Sequence, residues 1–142
     1  MTKVTFYKLL EDPQTAYKLV CQLIKKAHSM GQQVLCLVTD DETAKVLDKM
    51  LWGFAPEAFI PHGIGADKTP VAISTEAEPG EHHQLLINLQ AQIPAWFSRF
   101  DRVIELVHPD SEHEQTKREN FRFYKERGYS LDFHDLSGQG AK

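Results

Sequence analysis

Cysteine is scarce, long apolar runs are missing, and the chain has no surplus of positive charge. Of 142 residues only 2 are cysteine, and Cys21 and Cys36 fall in segments that read as a helix and a buried strand. With no pair of CxxC motifs, zinc ligation has no basis, and both thiols read as small buried hydrophobes in a reducing, cytoplasmic setting. No apolar stretch approaches the roughly 20 residues that cross a bilayer. The opening Met1-Thr2-Lys3-Val4-Thr5-Phe6 lacks the basic, apolar and small-residue regions of an export signal and runs straight into a strand pattern. A formal net charge of −4 and a pI of about 5.9 argue against a protein whose main task is to grip phosphates, since that depends on Lys and Arg.

Signatures of catalysis are absent as well. Neither GxxxxGK[ST] nor GxGxxG occurs, and Gly63-Ile64-Gly65 is a fragment that reads as a loop. His62, His82, His83, His108 and His113 show no HExxH or comparable spacing, and His82-His83 reads as a solvated part of an exposed turn over 76–83. No GxSxG is present. Asp40 and Asp41 follow a strand-like run and open a helix, so they suit capping and the helix dipole. The same pair could hold Mg²⁺ or accept a phosphoryl group, which leaves a small nucleotide- or Mg²⁺-dependent α/β enzyme as an alternative. Otherwise no cofactor or metal is expected.

What is present is a regular alternation of strand and helix patterns. Residues 3–10 are rich in β-branched and aromatic types. Asp12 and Pro13 then supply an N-cap and a first helical residue, and Ala16, Val20, Leu23, Ile24 and Ala27 form one apolar face up to Gly31. Val34 to Val38 is apolar throughout, as in a central strand covered on both faces. Leu47, Met50, Leu51 and Phe54 give the next helix its buried stripe. Strands are expected at 71–74, 85–89, 103–107 and 129–133, with a helix over about 110–127 stopped by Gly128. This order predicts one three-layer α/β domain over 1–136, a mostly parallel central sheet flanked by helices. Its topology is Rossmann-like but without a phosphate-binding loop, and residues 137–142 form a flexible tail.

Two patches stand out. In the last helix Arg118, Phe121, Arg122 and Lys125 share one face, in a chain that is otherwise acidic. Guanidinium groups beside a ring suit an acidic, apolar ligand such as a peptide C-terminus. Helical geometry equally allows Phe121 to pack inward beneath a solvated charged face, and a direct single-stranded-DNA binder stacking bases on Phe121 is a further alternative. The second patch, Leu51 to His62, carries three aromatics and two prolines in twelve residues and reads equally as irregular core or as a docking surface.

Leu51-Trp52 followed by Pro56-Glu57-Ala58-Phe59-Ile60-Pro61-His62 resembles the LW…PE-x-F-[IVL]-PH stretch of the DNA polymerase III chi subunit family. The similarity continues in order through Thr5-Phe6-Tyr7, Pro70-Val71, Leu86-Ile87-Asn88-Leu89, Arg118 to Lys125, and Gly128-Tyr129. The resemblance implies a non-catalytic replisome adaptor with a single, largely parallel α/β domain. It implies two partners: the psi subunit, which tethers chi to the clamp loader, and the acidic, phenylalanine-terminated tail of single-stranded-DNA-binding protein. In some bacteria an accessory helicase is a third, and DNA is met only indirectly. By position Arg118, Phe121 and Arg122 fall where the family binds the tail, with Lys125 on the same face, and Trp52, Phe59 and Ile60 fall in the psi-facing segment. Phe121 replaces a tyrosine of some relatives, and Glu114 stands where some are basic.

Overall fold

In the computed structural model, strands and helices alternate as β1 (Lys3–Lys8), α1 (Pro13–Ser29), β2 (Val34–Leu37), α2 (Asp41–Gly53), β3 (His62–Ile64), β4 (Val71–Ser74), β5 (Leu85–Asn88), β6 (Arg102–Val107), α3 (Ser111–Glu126) and β7 (Ser130–Asp135). The structure describes residues 2–8, 13–53, 62–64, 70–75, 82–107 and 111–135. Asp12, Phe54, Phe59, Ile60, residues 76–81 and the tail 137–142 lie outside these.

The strands form one 7-stranded sheet in the order β3-β4-β2-β5-β6-β1-β7, and each described pairing is parallel. Side chains alternate across a strand, so every central strand feeds two cores. Val34, Cys36, Ile73, Ile87 and Ile104 meet Val20, Ile24 and Leu47 of α1 and α2. Leu35, Leu86, Val103 and Phe6 point the other way, toward Tyr124 of α3 and toward Phe97 and Phe100, the first residue and the C-cap of a short 3-10 helix. Full burial of one such aliphatic or aromatic side chain contributes ~1.5–3 kcal/mol. The uninterrupted apolar run of β2 follows from this position: it lies between β4 and β5 and has no solvent face.

Helix ends match the residues that favour them. Gly31 and Gly128 adopt φ of 75° and 82°, a left-handed conformation that glycine reaches without a Cβ clash. The N–H of Gln32 donates to the carbonyl of Ala27, and that of Tyr129 to Tyr124, closing both helices.

Three details depart from the sequence reading. The end of the aromatic segment forms an edge strand, β3, which pairs His62 with Val71. Three residues are too few to display alternation, so only the partner strand defines it. His82 is buried, unlike the exposed His83, because the adjoining backbone is tied to the sheet: the N–H of Asp101 donates to the carbonyl of His83. The last strand runs to Asp135, since pairing with β1 continues until Lys8 meets it.

Candidate functional site

At the C-terminal ends of β1, β6 and β7, Lys8 lies in register between Val107 and Asp135. Alternation turns Phe6, Lys8, Val107, Phe133 and Asp135 toward α3, and a cleft of about 360 Å³ opens between these strand ends and the helix. Parallel α/β sheets commonly place binding sites at this edge. From α3 the cleft receives Glu114, Lys117, Arg118, Phe121 and Arg122.

Aromatic rings make its apolar wall. Phe121 packs edge-to-face on Phe6, with ring centres 5.3 Å apart, and at 6.3 Å on Phe133. Its ring is only half buried, so it joins the core and still lines the cleft. Phe133 keeps 51% of its surface exposed on the sheet's edge strand, an unusual position for so large an apolar group.

Charges form the rim. Arg118 is 67% exposed and lies 3.3 Å from Oε1 of Glu114, one helical turn earlier. Lys8 reaches the same oxygen from β1 at 3.1 Å. The hydrogen bond and charge of Lys8, aided by Arg118, hold the Glu114 carboxyl below its ordinary range. Arg122 is exposed and makes no ion pair among the described residues. Lys125 is exposed on α3 but is not part of the cleft lining.

Lys117 is basic but belongs to a different environment. Its ammonium is 1% exposed and donates to Oε1 of Glu105, which is 0% exposed. It also donates to the Gln90 carbonyl at 2.6 Å. The Tyr124 hydroxyl donates to the other Glu105 oxygen at 2.7 Å, and Asn88 donates to Oε1 at 3.1 Å. Burial first, and then the charge of Glu105, push the Tyr124 hydroxyl upward, so it stays a protonated donor. Asn120 donates to the Ala91 carbonyl at 2.7 Å and pins the same helix to the loop after β5. These bonds fix where α3 stands over the sheet, and so where Arg118, Phe121 and Arg122 point.

The sequence reading did not single out Phe6, Lys8, Phe133 or Asp135 as site residues. They come from strands far apart in the chain, and none carries a local signal. Glu105 did carry one, a lone carboxylate inside the apolar run Val103 to Val107.

The second patch is described only in part. Trp52 is exposed near the end of α2, a helix that contacts the edge strand β3, and Ile64 of β3 is exposed too. Asp40 acts as a helix cap: the Thr43 N–H donates to its Oδ1 at 2.8 Å, and this bond is the main cause that lowers its pKa. Among the described residues no group of three or more His, Cys, Asp or Glu could hold a metal, and no helix is long and apolar enough to cross a membrane. Both cysteines are buried and free. Desolvation pushes Cys21 up to about 11 and Cys36 higher still.

Fold and cleft together define a single parallel α/β domain with cations and rings gathered where β1, β6 and β7 end. Its architecture is shared with S. cerevisiae Dbp5 bound to RNA and ADP BeF3, at a TM-score of 0.61 and 13% identity over 94% of this chain. The chain spans 41% of that structure, a likeness of fold alone. Residues 1–132 match the family model described as DNA polymerase III chi subunit, HolC, and the chain belongs to that family. It is 40% identical to the DNA polymerase III subunit chi of Pseudomonas aeruginosa, covering 96% of this chain and 98% of the relative. It is 26% identical to the Escherichia coli subunit chi (93% and 97% covered) and 29% identical to that of Haemophilus influenzae (92% and 95%). As a chi subunit it is an accessory, non-catalytic component of the polymerase.

Proposed function

We propose that this chain bridges the clamp loader, through the psi subunit, to the acidic C-terminal tail of single-stranded-DNA-binding protein, and that the cleft beneath α3 takes the tail. One observation carries the reading: Arg118 and Arg122 flank a cleft whose wall is built from Phe121 and Phe133. A peptide ending in phenylalanine offers a matching pair of groups, a terminal carboxylate for the guanidinium and a ring for the apolar wall. Lys125 lies outside the cleft and contributes only to long-range attraction. One charge-assisted hydrogen bond contributes about 1.5–3 kcal/mol, so each tail binds modestly, and several tails on an oligomeric partner raise the effective affinity.

The exposed Trp52, continuing into the segment with Phe59 and Ile60, supplies the surface for psi. An accessory helicase competes for that surface where the organism has one. The adaptor works in the cytoplasm and meets DNA only through its partners.

A fluorescence-anisotropy titration with a labelled acidic peptide ending in phenylalanine tests the tail site. Binding should fall with salt, and should be lost for Arg118→Ala and for the peptide without its terminal phenylalanine. A bare single-stranded oligonucleotide that binds as well as the peptide would favour direct DNA binding instead.

A further inference from the structure

Three charged side chains of the cleft converge on one atom. Oε1 of Glu114 receives Lys8 at 3.1 Å from β1 and Arg118 at 3.3 Å from α3, and all three residues line the cleft. Two of the three are partly withdrawn from water: the side chains of Lys8 and Glu114 keep only 28% and 23% of their surface, while Arg118 stays 67% exposed. The cleft therefore already holds a carboxylate, supplied by the protein, between two cations from different layers of the fold.

We propose that Glu114 is an internal stand-in for a ligand carboxylate: binding of the acidic peptide exchanges Glu114 for one of its own carboxylates, and Lys8 becomes a peptide-binding residue. The inference rests on the tail reading given above. Two cations facing one small space repel each other, and the Glu114 carboxylate cancels that repulsion in the free protein. The contacts of Lys8 and Arg118 hold the anion there and lower its pKa, Lys8 chiefly. An incoming carboxylate then gains Lys8 and Arg118 only by displacing an equivalent group. Arg122 has no such internal partner among the described residues and is the cation that captures the peptide first. The exchange keeps binding weak and mutes its response to salt, because the two cations are neutralised before and after. It also discriminates. A ligand with one carboxylate is held by Arg122 alone, whereas a ligand with a second, suitably spaced carboxylate completes the exchange. The remaining carboxylate of the lining, Asp135, lies in register with Lys8 on β7.

The test is a set of anisotropy titrations with the same labelled acidic peptide ending in phenylalanine. It compares wild type, Glu114→Gln, Lys8→Gln and the double variant at low and moderate salt. Glu114→Gln should bind about two- to fivefold more tightly, the scale of freeing one partly exposed pair, and should show a steeper loss with salt. Lys8→Gln should weaken binding, and by a larger factor in the Glu114→Gln background. Equal or weaker binding by Glu114→Gln would overturn the exchange, as would a Lys8→Gln variant that binds unchanged in the Glu114→Gln background. Peptide binding by wild type without tightening in Glu114→Gln would sink the exchange and leave the tail reading intact. No binding by either protein would remove both.

Discussion

Lys117 and Glu105 form an ion pair that is almost completely withdrawn from water, joining the middle of α3 to the middle of β6. Two buried charges are costly to desolvate, and the pair persists because Tyr124, Asn88 and the Gln90 carbonyl satisfy what remains of each. The face of α3 that meets the sheet is made of Lys117, Asn120, Phe121 and Tyr124, with no aliphatic residue among them. Its position over the sheet is thus set by directional bonds and ring edges rather than by aliphatic packing alone.

Removing one partner should show this. Lys117→Met leaves a buried carboxylate without its cation and should destabilise the protein by about 3–5 kcal/mol in urea unfolding. Replacing both residues with apolar groups should recover most of that loss, because no unpaired charge remains. A Lys117→Met protein as stable as wild type would show that the pair does not hold α3.

Arg122→Ala should reduce affinity for the phenylalanine-terminated peptide by roughly tenfold or more, the scale of one charge-assisted hydrogen bond. Lys125→Ala should change affinity only at low salt, since its charge lies outside the cleft. Equal losses from the two variants would move the site away from the cleft and onto the open helix face.

Alkaline stability should depend on buried thiols. The unfolded Cys21 thiol has a pKa of 9.0 and the folded one about 11, so folding favours the protonated form. That contribution is complete below pH 9.0 and disappears as pH rises through about 11, with Cys36 and Tyr124 shifted in the same direction. Unfolding free energy should therefore fall over this range, and Cys21→Ala should fall less steeply. Native protein should also react slowly with thiol reagents at pH 8 and rapidly once unfolded.

Asp40→Ala should lower the thermal midpoint by removing the acceptor for the Thr43 N–H, whereas Asp40→Asn should retain much of the cap. The folded pKa of Asp40 is lowered, so its contribution is present above the ordinary carboxylate range and is lost as pH falls through it. The difference between wild type and Asp40→Ala should shrink accordingly. Added Mg²⁺ should leave the midpoint of wild type unchanged, and a clear rise would revive a metal role for Asp40 and Asp41.

Trp52→Ala should leave stability within about 0.5 kcal/mol, because about half of the residue's surface stays exposed. It should nevertheless reduce recovery of psi on co-expression. A large loss of stability instead would make Trp52 part of the core.

Much of this architecture was legible in the chain because its signals are local. The apolar face of Val20, Ile24 and Ala27 needs only helical spacing, the run Val34 to Val38 needs only a strand covered twice, and Gly31 and Gly128 need only a left-handed residue at a helix end. The face shared by Arg118, Phe121 and Arg122 was likewise a matter of helical spacing. Tertiary structure alone decided what stands opposite that face. Strand order brings β1 and β7 together beneath α3, so Lys8 and Phe133 complete a cleft whose parts are more than a hundred residues apart. Tertiary structure also separated Lys117 from its basic neighbours, because only the register of β6 shows that Glu105 waits beneath it. Periodicity tells which side chains share a face; it carries no information about which other face they will meet, and charge and burial are properties of that meeting.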